Sequence, residues 1–427
     1  MTRVFINNNQ NYSKPLEYIL STLFKNNSWP VTFTKMKADA EMIFDHTDPD
    51  SSPIHIDFYN SLINKSVFNH ELYFDSEPRI LFPESRKPDW LATAFYMINA
   101  FQEYNTVENN DNLDNYGRFR FDKSYQNKFN CFEENIVQLC FDNFIKEHPV
   151  LSMNAGSARK TNIFLSHDID TLYGSFLQDG LWAIKKGRLD IVLKLVMNEI
   201  LLNPHWKNMD KIVKIESASD LKSTFFWLAT KKTASNGVKN ADYSIHKLNK
   251  LLKVSGSNGL HKSCYHTTID EELNLLPFNT KINRYHFLKF NLPSSWEDIE
   301  SSGLLLDASL GFAERYGYRN SYGLPFKPYN ISTRSSFKFV EVPLNVMDGT
   351  LHRYMETPLK ETASSIINFI EKNLTNSTIS ILWHNTYFTD YKYSGYLQEY
   401  KKVLLYLYES GLKSITPEEI INEFANE

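Results

Sequence analysis

The amino-acid sequence predicts an α/β protein in two parts. Residues 157–427 are expected to form a parallel α/β domain, its sheet open or closed into a barrel, and residues 1–156 a smaller α+β or α/β domain. Three observations carry this. A chain of 427 residues favours two domains over one. Beyond the stretch "MNAGSARKTN", strand-like apolar runs alternate with segments of helical period, whereas before it apolar runs are broken by polar text and an Asn/Asp-rich insertion, "NTVENNDNLDNYG". The unusual polar residues of the second part sit at the ends of its strand-like runs, which is where parallel α/β domains gather their binding groups.

In the first part, "DWLATAFYMINAFQEY" spaces Leu91, Ala94, Phe95, Ile98 and Phe101 as one face of a helix, with Asp89 placed to cap it after Pro88. "FEENIVQLCFDNFI" reads as a second amphipathic helix. His46 in "FDHTDPD" is expected in a solvated loop, and no catalytic set is expected before residue 156. In the second part the strand-like runs are "IFLS", "STFFWLA", "GLH", "INRYHF", "LLLDAS", "FVEVPL" and "ISILWH". Between them, "ADYSIHKLNKLLKV" puts Ile245, Leu248, Leu251 and Leu252 on one helical face. "SSWEDIESSG" offers a Ser294/Glu297 capping box and a stop at Gly303. "TASSIINFIEKNL" and "LQEYKKVLLYLYESG" flank the last strand as helices.

Composition narrows the functional classes. Apolar residues make up 42% and aromatics 14%, enough for a sizeable core, and most of the aromatics are expected there. A net charge of −4 leaves no basic footprint for nucleic acid. Three cysteines without a CxxC fit a reducing compartment. "MTRVFINNNQNYSK" lacks the apolar centre of a signal peptide, and "IVLKLVMNEILL" is too short and too polar to span a bilayer. A cytoplasmic protein without an integral membrane segment is expected; the oligomeric state is not addressed.

The chemistry gathers at "NIFLSHDIDTLYG". Two carboxylates, Asp168 and Asp170, close an apolar strand, and like charges that close repel unless a cation or proton lies between them. His261 ends "SNGLH", Arg284 and His286 lie in "NRYHF", and His384 ends "ISILWH", so all should face one mouth. Asp170 with two imidazoles makes a carboxylate-plus-two-His site of the kind that holds catalytic zinc with one position open. The remaining carboxylate is free to take a proton from water, and His384 to give one to a leaving nitrogen. His167 reads as a core or supporting residue, and Cys264 as no nucleophile, since nothing orients a base towards it. "DASLGFAERYGYRNSYGLPFKPYN" is either a packed Ω-loop or the wall of a sugar groove, with Asp307 and Arg319 as candidate substrate contacts.

These residues resemble the motifs of the polysaccharide deacetylases, carbohydrate esterase family 4, over roughly residues 161–424. "FLSHDID" resembles the first motif, usually Asp-Asp, with one residue inserted; "STFFWLA" the Thr-Phe-Phe strand; "GLHKSCYH" the His-rich second motif; "RYH" the third; and "ILWH" the closing Leu-x-His. The resemblance implies a distorted (β/α)7-type barrel, the NodB homology fold, and one divalent transition metal, with zinc the expected ion. It makes Asp168 the base, Asp170 and His261 metal ligands, Arg284 the residue that orients the base, and His384 the acid. Two departures bear on the third ligand. His261 and His266 are separated by four residues rather than three, and His286 stands two residues after Arg284, where the family usually has Pro; either His286 or His266 completes the set. The first part, notably "PDWLATAFYMINAFQEY" and "YGRFRF", resembles a domain of unknown function found ahead of bacterial deacetylase-like domains. The implied activity is metal-dependent removal of N-acetyl groups from amino sugars of a bacterial polysaccharide or its precursor, with an N-acetylated carbohydrate as partner. A metal-free C–N amidohydrolase on a small amide and a glycan-binding pseudoenzyme are the alternatives.

Overall fold

A computed structural model of the chain describes residues 1–63, 88–104, 110–152 and 158–425, apart from residues 10, 50, 202, 235, 236 and 390. The expected junction at residues 156 and 157 lies outside them.

The first part opens with a small parallel sheet. Strands β1 (Thr2–Ile6), β2 (Val31–Thr34) and β3 (Met42–Phe44) are ordered β2-β1-β3. Helices Trp90–Ile98 and Ile136–Glu147 are the two that the apolar spacing marks. Asp89 caps the first by accepting from the Ala92 N–H at 2.8 Å. That helix ends at Ile98, three residues short of Phe101, because Ala100 turns into the left-handed region at φ 49°. His46 lies exposed in the turn after β3.

The second part is built on β4 (Asn162–Ile169), β5 (Ser223–Leu228), β6 (Ser257–Lys262), β7 (Ile282–Tyr285), β8 (Leu306–Asp307), a two-stranded ribbon of β9 (Tyr329–Asn330) and β10 (Ser335–Ser336), β11 (Val340–Glu341), β12 (Leu344–Met347), β13 (Thr378–Leu382) and β14 (Lys413–Ser414). The main sheet runs β11-β8-β7-β6-β5-β4-β13-β12, all parallel, with β14 beside the start of β4, and curls into a half-barrel. The run "FVEVPL", read as one strand, is divided. β11 ends one edge of the sheet and β12 begins the other, so Val342 and Pro343 alone carry the chain across the seam. The Ser294/Glu297 capping box does not form. Helix Ser294–Ser301 starts one residue earlier than expected, with Pro293 at its cap, and the Ser294 hydroxyl instead donates to the Asn291 carbonyl. "ADYSIHKLNKLLKV" is helical only from Asn249 to Val254, after a single tight turn at Ile245–Lys247.

The period-two alternation of the strands explains the layering. Phe164, Phe226, Ile282, Leu306 and Val340 point to the inside of the curl and form a small apolar plug, closed from below by Ile420 and Phe424. Gly259 belongs to this layer, where a Cβ would meet Phe226 and Ile282 side chains at 2.7 and 2.8 Å. Two or four residues further along the same face come Asp168 on β4, His261 on β6 and Arg284 on β7, so the plug is the floor of whatever those residues do. The other face of the sheet packs against helices in a core continuous with the first part. Among the described residues, no helix is long and apolar enough to cross a membrane.

Candidate active site

Five strand ends supply the site: β4, β6, β7, β12 and β13. Arg284 is fully buried and lies over the Phe226 ring, its Cζ 4.5 Å from the centroid. Its Nη1 donates to Asp168 Oδ1 at 3.0 Å and to Ser166 Oγ at 2.8 Å, and its Nε to the Ala308 carbonyl at 2.8 Å. This fixes Asp168 at the back of the site, with Oδ2 3.5 Å from His261 Nε2.

In front of it three groups converge. The Asp170 carboxylate Oδ1 lies 3.3 Å from His261 Nε2 and 3.5 Å from His286 Nε2. Each imidazole is held from behind, His261 by Nδ1 against the Arg284 carbonyl at 2.9 Å and His286 by Nδ1 against Asn240 Oδ1 at 3.1 Å. Those contacts leave both Nε2 atoms facing the carboxylate, the arrangement that outer partners impose on metal-ligating imidazoles. Asp170 Oδ1 is buried yet receives no well-directed hydrogen bond. Four ligands at about 2.0–2.1 Å around a tetrahedral ion stand about 3.3 Å from one another. The spacing and the O,N,N donor set therefore fit a divalent transition metal, and among the described residues Asp170, His261 and His286 are the group so disposed.

The third imidazole is different. His384 places Nε2 3.7 Å from Asp170 Oδ2, while Nδ1 faces the buried carboxylate of Asp348 at 2.7 Å. Its backbone N–H donates to the same carboxylate. Burial works to lower the basicity of His384, but Asp348, then Asp170 and Asp168, outweigh it and raise its pKa to about 9. The same contest, burial against facing carboxylates, ends with His261 and His286 raised above the ordinary imidazole value. For Asp170 burial pushes upward, and His286 and His261 override it and hold the carboxyl well below the usual range.

His266 does not join the cluster. It is exposed, with its ring centroid 4.0 Å from that of Tyr265. The physical cause is Glu272, whose buried carboxylate accepts from the Ser263 N–H and from Lys262 Nζ, each at 2.9 Å, and so draws the loop after β6 away from the mouth. Asp307 and Arg319 are likewise placed elsewhere. Both are buried, Asp307 accepting from Asn283 at 2.7 Å and Arg319 gripping Glu103 with two donors at 2.9 and 2.6 Å. The long loop that carries Arg319 is packed, with Tyr318, Tyr322 and Phe326 inside. His167 is a core residue between the Trp383 carbonyl and Glu216.

Sequence reasoning missed Asp348, Asn240 and Arg118. Asp348 follows an apolar run, "PLNVM", and would have been found had that run been read as a strand of its own. Arg118 comes from the first part, where no chemistry was expected. It lines the cavity over the cluster, tied to Asp114 at 2.6 Å and to the Phe287 carbonyl at 3.0 Å. That cavity measures about 220 Å³, and Trp206, Arg353, Tyr387 and Tyr393 also line it. A larger cavity of about 960 Å³ opens at the opposite end of the sheet, near Asn162 and Thr378, and contains none of the converging groups.

Residues 4–147 match a family of unknown function, DUF7033. No curated protein matches the chain. Among solved structures, the chain is similar to a Mycobacterium smegmatis protein assigned as a polysaccharide deacetylase, at 10% identity and a TM-score of 0.40, over 63% of this chain and 92% of that one. A Bordetella bronchiseptica protein, assigned as a polysaccharide deacetylase involved in O-antigen biosynthesis, aligns at 13% identity and a TM-score of 0.31 over 62% and 85%. The Bc1960 peptidoglycan N-acetylglucosamine deacetylase does so at 14% and 0.30 over 62% and 90%. At these values no chemistry passes from those proteins to this chain.

Proposed function

We propose that the chain is a metal-dependent hydrolase that removes N-acetyl groups from amino sugars of a bacterial polysaccharide or its precursor. One observation carries the reading. A base candidate (Asp168, paired with Arg284) and an acid candidate (His384, paired with Asp348) face each other across a trio of metal-ligand type, Asp170, His261 and His286.

Those three residues would hold the ion, which when bound supplies Lewis-acid polarisation of a carbonyl and lowers the pKa of water. Asp168, with Oδ1 committed to Arg284, presents Oδ2 to accept the proton of the attacking water. Collapse of the tetrahedral intermediate breaks the C–N bond, and an amine leaves only if it is protonated. His384 holds that proton on Nε2, with Nδ1 steadied by Asp348. The products are acetate and a free amino sugar. Acetate release from acetylated chitooligosaccharides and from a panel of acetylated sugar nucleotides tests this. A metal-loaded protein that releases none would speak for a glycan-binding role, and full turnover after chelation for metal-free hydrolysis.

A further inference from the structure

The segment that leaves β4 contains the largest exposed apolar feature of the described residues. Helices Ser175–Lys185 and Leu189–Ile200 form a hairpin that packs on itself through Ala183, Ile191 and Leu195. Leu177, Leu181 and Ile184 on the first helix, and Leu189, Leu193 and Ile200 on the second, are each between 59% and 70% exposed. Their spacing places them on the helical faces opposite the packed ones. A soluble surface carries large aliphatic residues singly, not as two stripes on neighbouring helices. Between the stripes the turn is basic, with Lys185 and Lys186 exposed beside an Arg188–Asp190 pair, in a chain whose net charge is −4.

We propose that this hairpin docks on the surface of an anionic lipid bilayer. Aliphatic stripes beside lysine and arginine are the composition of helices that lie in the interfacial plane. Helices of 11 and 12 residues reach only about 17 Å at ~1.5 Å per residue, against about 30 Å of hydrocarbon, so they lie on the membrane rather than cross it. A second copy is the weaker occupant, because a two-fold contact would bring the lysines of both copies to one interface, and interface cores are depleted in lysine. The hairpin is also tied to the site. Asp242, in the segment after β5, accepts from the backbone N–H groups of Leu172, Tyr173 and Gly174, each at 2.8 Å, which anchors the link between β4 and the hairpin, and Gln178 on the first helix lines the cavity. Docking therefore holds the cavity close to the membrane surface. Resting on the hydrolase reading, this makes the substrate class an acetylated amino sugar carried on a membrane lipid.

The test is co-sedimentation of the full chain with vesicles of phosphatidylcholine alone and of phosphatidylcholine mixed with phosphatidylglycerol. Binding should favour the mixed vesicles and weaken with salt. Leu177→Ser with Leu193→Ser should reduce partitioning by about ten-fold or more, from lost apolar burial, and Lys185→Glu with Lys186→Glu should reduce binding to the mixed vesicles selectively. Both pairs are exposed, so circular dichroism should be unchanged. Absent binding, or binding unaffected by either pair, overturns the proposal. So does a dimer dissociated by the serine pair in a protein that ignores vesicles, which would assign the face to a second copy. Acetate release from a soluble acetylated oligosaccharide without vesicles is read separately, so failure there counts against the hydrolase reading and not against docking.

Discussion

At the residue scale, the distinction among the three imidazoles around Asp170 is made by what stands behind each ring. His261 and His286 are backed by neutral oxygens and aim Nε2 at Asp170, whereas His384 is backed by a carboxylate. Asp170→Ala, His261→Ala and His286→Ala should each release bound metal, and His266→Ala should leave it in place; metal analysis of the four purified variants reads this directly. Retained metal after His286→Ala together with loss after His266→Ala would reverse the ligand assignment. Because the His261 and His286 imidazoles are both raised, protons should compete with a metal held between them to higher pH than at an ordinary histidine, so metal affinity should fall steadily as the medium is acidified from neutral. His384 is raised to about 9, so it is protonated at neutral pH and loses its proton as pH rises through that value. Proton donation should fail on that alkaline limb. Asp348→Asn removes the main charge that sustains the shift, so the limb of the kcat profile should move to lower pH. An unmoved limb would mean that another group sets it. Asp168→Asn should lower kcat by roughly 10²–10⁴-fold, the usual contribution of a positioned base, with metal content retained.

At the scale of elements, a site made from strand ends is only as well placed as the strands beneath it. Gly259 on β6 has no room for a Cβ, and His261 lies two residues on along the same face. Gly259→Ala forces a methyl against Phe226 and Ile282, an overpacking that costs about 1–3 kcal/mol, and should weaken metal binding through displacement of His261. Urea unfolding and a metal titration of the same variant measure both. Unchanged stability would mean that the neighbouring side chains give way freely. The helix at Trp90 was readable from the apolar spacing after Asp89 together with that cap, since both are local. Ser294 was misread because a cap depends on where the chain enters, and here the turn at Asn291–Pro293 takes the cap position first.

At the scale of the whole molecule, the two parts are joined by buried chemistry. Glu103 in the first part and Arg319 in the second form a two-donor pair, each side chain 1% exposed, and Asn26 bonds with Tyr322. Breaking a buried pair from one side leaves an uncompensated charge, so Glu103→Ala should destabilise the protein by about 3–5 kcal/mol, read by denaturant unfolding. A chain cut to residues 158–427 would carry that exposed defect together with bared apolar surface and should aggregate. Soluble, fully active truncated protein would show that the second part stands alone.

What the sequence determined by itself is whatever depends on neighbours along the chain. The alternation of strands and helices, the Asp89 cap, and the order in which Asp168, Asp170, His261, Arg284, His286 and His384 fall at strand ends are all local or periodic. The tertiary structure decided what depends on who stands opposite. It set His286 rather than His266 beside Asp170, brought Asp348 behind His384, sent β11 and β12 to opposite edges of one sheet, and carried Arg118 from the first part to the cavity. Each of these turns on a register or a long-range contact, such as Glu272 pulling the loop after β6 aside, and the free energy of such contacts is shared between residues far apart in sequence, where no pattern of spacing records it.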